Sequence, residues 1–177
     1  SNLIQWSLGD GLRSFMPDLA EKWEVAADGL TYTFNLRDGV KFHDGTPFTS
    51  ADVAATFNRG INPPAGVVIV NRELFSVIDK IQTPNPLTVI FKLKEPRAYF
   101  LHLLADPAPV VYPKKTLDEN NGDLRKVIAP GTGAFVFKEH KTGEVIIHER
   151  NRNYYDKELP YVDRLEWYNV AAWTDRG

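Results

Sequence analysis

Between Thr31 and Arg37 the chain alternates strictly. Thr31, Thr33, Asn35 and Arg37 are polar; Tyr32, Phe34 and Leu36 between them are large and apolar. A period of two puts the three apolar side chains on one face of a strand. Asp28-Gly29, Asp38-Gly39 and Asp44-Gly45 punctuate the flanks. Asp-Gly marks turns, because glycine takes positive φ at little cost. Thr49-Ser50-Ala51-Asp52 has the spacing of a capping box, with a hydroxyl three residues before a carboxylate. Residues 23–52 therefore predict strand, turn, strand, turn, a short extended piece and the start of a helix.

The same patterning extends in both directions. Leu3, Ile4, Trp6 and Leu8 can start a strand, which Gly9-Asp10-Gly11 turns. After Asp52, Val53, Phe57 and Ile61 fall four apart on one helical face, and Asn62-Pro63-Pro64-Ala65-Gly66 ends the helix. Val67 to Val70 is a short apolar run open to strand or buried loop. Residues 74–94 predict a hairpin: Val77, Asp79 and Ile81 alternate with Ile78, Lys80 and Gln82, Thr83-Pro84-Asn85-Pro86 turns, and Val89, Phe91 and Leu93 alternate with Ile90, Lys92 and Lys94. Tyr99, Phe100, Leu103 and Leu104 have helical spacing, and a second small helix is expected near Lys114–Asn120, broken by Asn121-Gly122. Phe135 to Lys138 and Val145 to His148 form a further hairpin through Thr142-Gly143, and Leu165 to Val170 is a last strand after a polar, aromatic connector. The fold class expected is α+β, an antiparallel sheet carrying short helices.

Composition narrows the functional field. The 177 residues are 43% hydrophobic and 25% charged, in the range of ordinary globular proteins, with a net charge of −2. That balance gives no footprint for nucleic acid or an anionic membrane. The absence of cysteine excludes disulfides, thiolate metal sites and thiol nucleophiles. No apolar run approaches the roughly 20 residues of a membrane span. The chain opens on Ser1-Asn2-Leu3 without methionine or a signal peptide, which reads as a processed or excised piece.

Candidate chemistry is sparse. His43, His102, His140 and His148 have no zinc-ligand spacing, so no metal or cofactor is expected. Gly131-Thr132-Gly133 lacks the lysine and spacing of a phosphate loop and suits the tight start of a strand. His43-Asp44 beside Thr46 sits in a turn, where Asp44 is expected to accept hydrogen bonds from the turn itself and not to serve catalysis. Arg150-Asn151-Arg152-Asn153-Tyr154-Tyr155 mixes cations and aromatics, but one short run in an acidic chain suits a solvated connector better than nucleic acid. No catalytic residue is assigned.

The run WEVAADGLTYTFNLRDGVKFHDGTPFTSADV from Trp23 resembles the signature region of the family 5 extracytoplasmic solute-binding proteins, the ligand-capture components of bacterial ABC importers for oligopeptides, dipeptides, nickel complexes and some oligosaccharides. Pro17-Asp18-Leu19-Ala20-Glu21-Lys22-Trp23 matches the piece that leads into it. PGTGAFVFKEHKTGEVIIHERNRNYYDKELPYVDRLEW is similar to a second family segment, departing from it at Ala134 (usually proline), His148 (near a usually apolar site) and Tyr155 (usually tryptophan).

The resemblance implies part of a periplasmic binding protein type II-like fold: residues 1–20 as a flanking piece of the first lobe, 21–150 as the small β-rich domain, and 151–177 as the return to the first lobe. It implies a small solute, most simply a peptide, as ligand, an ABC permease and the remainder of the receptor as partners, and a periplasmic or extracytoplasmic location, lipid-anchored in Gram-positive relatives. In the family the loop after the short apolar helix faces the cleft, which singles out Asp106 and Pro107 as ligand-binding candidates, with Trp6 and Tyr112 behind them. An Asp106 carboxylate there would suit a cationic ligand group or an α-amine. With one lobe missing, the first and last segments are expected to be poorly covered, or to pair with each other or with a second copy. The alternatives are a hydrolase, which would need convergent Ser, His and Asp or a spaced carboxylate pair, and a stand-alone structural or interaction module.

Overall fold

A computed structural model describes residues 1–69 and 72–169. The chain opens with a small hairpin in which β1 (Ile4–Trp6) pairs antiparallel with β2 (Phe15–Pro17). β3 (Ala20–Val25) and β4 (Thr31–Leu36) follow as a second hairpin. The alternation in β4 is borne out: Tyr32, Phe34 and Leu36 are buried while the residues between them are half-buried. The short extended piece survives as a single bridge between Lys41 and Pro47.

Helix α1 (Ser50–Ile61) starts where the capping box places it. Thr49 donates its backbone N–H to Asp52 Oδ2 at 2.8 Å. Val53 and Phe57 are buried and Ile61 is half-buried, as a four-residue spacing on one face requires. Residues 67–69 are neither helix nor strand, and Val70 lies outside the described residues.

The hairpin expected from residue 74 starts later. Residues 72–76 are instead a short helix, α2 (Arg72–Ser76), which buries Leu74 and Phe75. The reason is packing: Phe75 meets Phe57 of α1 at 5.6 Å between ring centroids, a contact that period-two counting cannot anticipate. β5 (Ile78–Asn85) then pairs with β6 (Thr88–Leu93). The strand runs through Thr83 and Pro84, which were expected in the turn. A register shift between Gln82 and Asn85 accommodates the proline at this edge strand. The turn is Pro86-Leu87, with the Leu87 N–H donating to Asn85 Oδ1 at 2.9 Å. The sheet order is β3-β4-β6-β5, antiparallel throughout.

α3 (Phe100–Ala105) and α4 (Lys114–Glu119) lie near their expected places. β7 (Phe135–Lys141), β8 (Val145–Arg150) and β9 (Arg164–Tyr168) form a separate three-stranded antiparallel sheet. Gly143, at φ +79°, turns β7 into β8. Val170, expected to end the last strand, lies outside the described residues.

The expectation for the two end segments holds in part. Among the described residues they do not pair with each other; β1 pairs with β2, and β9 with β8. Leu3 and Ile4 are fully buried in the main core, because the small hairpin folds onto the end of the four-stranded sheet: the Ala20 N–H donates to Leu3 O at 2.9 Å. The rest of the first segment is thinly covered, with Leu8, Leu12 and Met16 exposed, and so is β9, with Trp167 and Tyr168 exposed. The core gathers β1, β4, β6, α1, α2 and α3 around the buried rings of Phe34, Phe57, Phe91 and Phe100.

Candidate functional site

The loop after α3 is built from both sides. Asp106 ends the helix, its N–H bonded to His102 O, and its Oδ1 accepts from the Ala108 N–H at 3.0 Å. This Asx turn is the capping role such a residue takes in any protein. The Asp106 carbonyl accepts from Asn2 Nδ2 at 2.7 Å, and the Val111 N–H donates to Ser1 O at 3.1 Å, so the loop is stitched to the start of the chain. Its far end is fastened to α1. The Tyr112 N–H donates to Thr56 Oγ1 at 3.0 Å, and the Lys114 N–H donates to Asp52 Oδ1 at 2.8 Å.

Trp6 approaches from β1. Its ring lies 4.6 Å from Phe15 and 5.1 Å from His102, and Phe15 and His102 meet edge-on at 5.1 Å. The structure thus brings Trp6 next to α3 and Asp106 to the end of the same helix. Pro107 is exposed; Trp6, Asp106 and Tyr112 are half-buried. Asp106 Oδ2 accepts no hydrogen bond among the described residues, so the carboxylate keeps acceptor capacity for another group. Five surface cavities of about 280 to 490 Å³ are lined by other residues, none by these four.

The other motifs resolve into structure. Asp44 Oδ1 accepts from both the N–H (3.0 Å) and the hydroxyl (2.7 Å) of Thr46, as a turn residue should. Burial alone would raise its carboxyl pKa, but these hydrogen bonds outweigh burial and hold it below the usual value. His43 reaches the glycine run: the Gly131 N–H donates to His43 Nδ1 at 3.3 Å, which leaves Nε2 as the donor to Gly133 O at 2.9 Å. Gly131-Thr132-Gly133 is a seat for that imidazole ahead of β7. Among the described residues no three His, Asp or Glu side chains converge as metal ligands.

One constellation was not anticipated. The Tyr155 hydroxyl donates to Asp18 Oδ1 at 2.6 Å, and the Arg37 guanidinium lies 4.9 Å over the Tyr155 ring. Asp18 is buried and also accepts the Asn2 N–H at 2.8 Å on Oδ2. Burial and then the Asp18 charge push the Tyr155 phenol well above its usual pKa. Asp18 and Tyr155 are 137 residues apart. The departure at Tyr155 from the usual tryptophan was the only sequence signal that could have pointed here.

Comparison with known proteins supplies the family. The model of the bacterial extracellular solute-binding proteins, family 5 middle, matches residues 14–176, and the chain belongs to that family. The glutathione-binding protein GsiB of Pectobacterium atrosepticum is 33% identical over 97% of the chain, and that of Escherichia coli K12 is 32% identical over 86%. The chain spans about a third of the length of these relatives. Among solved structures, the agropinic acid complex of AgaA from A. tumefaciens R10 superposes with a TM-score of 0.85 at 36% identity, covering 94% of this chain and 33% of that one. A dipeptide-binding protein from Pseudoalteromonas sp. SM9913 in complex with Met-Leu gives 0.82 at 26% identity, covering 98% and 37%. The α+β scaffold is thus part of a periplasmic binding protein type II-like fold, and membership places the chain among binding proteins and not enzymes, which removes the hydrolase.

Proposed function

We propose that this chain is part of the substrate-binding component of an ABC importer, which captures a small solute outside the cytoplasmic membrane and delivers it to a permease. Residues 21–150 would be its small β-rich domain, with 1–20 and 151–177 belonging to the first lobe. The solute proposed is a short peptide, in keeping with relatives named for binding glutathione or a dipeptide. The location proposed is periplasmic, or surface-held by a lipid anchor.

The observation that carries the site assignment is the free acceptor oxygen of Asp106 at the end of α3, the helix whose His102 ring packs against Trp6. A carboxylate with a free acceptor suits the α-amine of a peptide, and hydrogen bonds to charged groups contribute about 1.5–3 kcal/mol. Isothermal titration of the full-length receptor with di- and tripeptides tests this. Asp106→Asn should weaken binding by about tenfold or more, while N-acetylated peptide should lose the same increment in the unsubstituted receptor. An unchanged affinity in Asp106→Asn would remove the residue from the site, and binding of a sugar acid or metal chelate in place of peptide would remove the solute class.

A further inference from the structure

The main core draws its buried side chains from residues 3 to 111. Among the described residues after Val111, Tyr155 alone packs against it, as a half-buried ring. The three-stranded sheet buries Val145 and Ile147, but outside that cluster. Among the described residues the sheet is therefore joined to the main body chiefly by polar contacts through its loops, and these fall into two clusters.

The first is the Asp18 hub. Its carboxylate takes the Tyr155 hydroxyl on one oxygen and the Asn2 N–H on the other. Arg37 covers the Tyr155 ring and donates Nε to the Asp18 carbonyl at 2.6 Å. Tyr154 stacks beside Tyr155 at 4.4 Å between centroids, and its hydroxyl donates to the Tyr155 oxygen at 3.1 Å. The second is His43, which takes the Gly131 N–H and gives Nε2–H to Gly133 O. Its own backbone N–H donates to Gly131 O at 2.8 Å. Asn151, at the end of β8, closes the circuit by donating Nδ2 to the same Gly133 carbonyl at 2.9 Å.

Polar contacts of this kind are individually modest beside a shared apolar core. Units joined in that way open on their own, below the free energy of global unfolding. We infer that residues 131–169 are a separately opening unit, latched to the main body by the Tyr155–Asp18 hydrogen bond and pinned at its other end by His43.

Native-state hydrogen exchange read by mass spectrometry on the 177-residue chain is the test. Tyr155→Phe keeps the ring against Arg37 and deletes only the hydroxyl. Amides of β8 and β9 should then exchange at least about tenfold faster, together, while amides of β4 and β6 keep their rates. His43→Gln should accelerate the same set from the opposite end, and Asp18→Asn serves as a second probe of the latch. Equal acceleration of β4, β6, β8 and β9 would make the molecule one cooperative unit and overturn the inference. So would β8 and β9 rates that match the parent chain in both Tyr155→Phe and His43→Gln.

Discussion

Individual side chains differ sharply in how far sequence spacing exposes their role. Asp52 was legible, because a capping box is a local pattern, and the structure adds only that its second oxygen also holds the start of α4. Tyr155 was not legible, since nothing local links it to Asp18. Its phenol still makes a pH prediction. The folded-state pKa lies above the usual value near 10 through burial and the neighbouring carboxylate. A group whose folded pKa is raised contributes its full stability below the unfolded pKa and loses it as pH climbs beyond. Urea midpoints should therefore fall from about pH 10 upward more steeply in the unsubstituted chain than in Tyr155→Phe, with the two approaching each other as pH climbs. Parallel curves would mean that Tyr155 ionises alike in both states.

Among elements, strands with one buried face were readable and those shaped by neighbours were not. β4 and β6 alternate because a core lies under one face only. β2 and α2 are too short to carry a period, and packing against β1 and α1 decides them. Gly60 records that packing. A Cβ at this helical position would stand 2.2 Å from Cδ1 of Phe75, whose ring is buried between α1 and α2. Alanine would gain about 1 kcal/mol in helix propensity. Overpacking a buried ring costs about 1–3 kcal/mol, so the clash wins. Gly60→Ala should lower stability by about 1 kcal/mol in chemical denaturation, and Gly60→Ala with Phe75→Leu should recover part of that loss. A stabilised Gly60→Ala would show that the ring moves aside freely.

For the whole molecule, the limit is length. The family and the scaffold were legible because their signature is a long, ordered run of strand and turn residues within this chain. For the ligand site the sequence offers one candidate loop, since such a site is assembled from segments distant in sequence and the chain spans about a third of its relatives. Small-molecule sites enclose about 70–90% of the ligand surface. Here Trp6, Asp106 and Tyr112 are half-buried and Pro107 is exposed, and none of them lines any of the five cavities. An exposed carboxylate–ammonium pair contributes about 0–1 kcal/mol. One such pair falls far below the roughly 8 kcal/mol that a micromolar complex requires. Titrating the 177-residue chain with short peptides up to millimolar concentration should therefore give no binding heat, while the full-length receptor binds under the same conditions. A micromolar Kd for the chain alone would mean that this surface closes on ligand without a second wall.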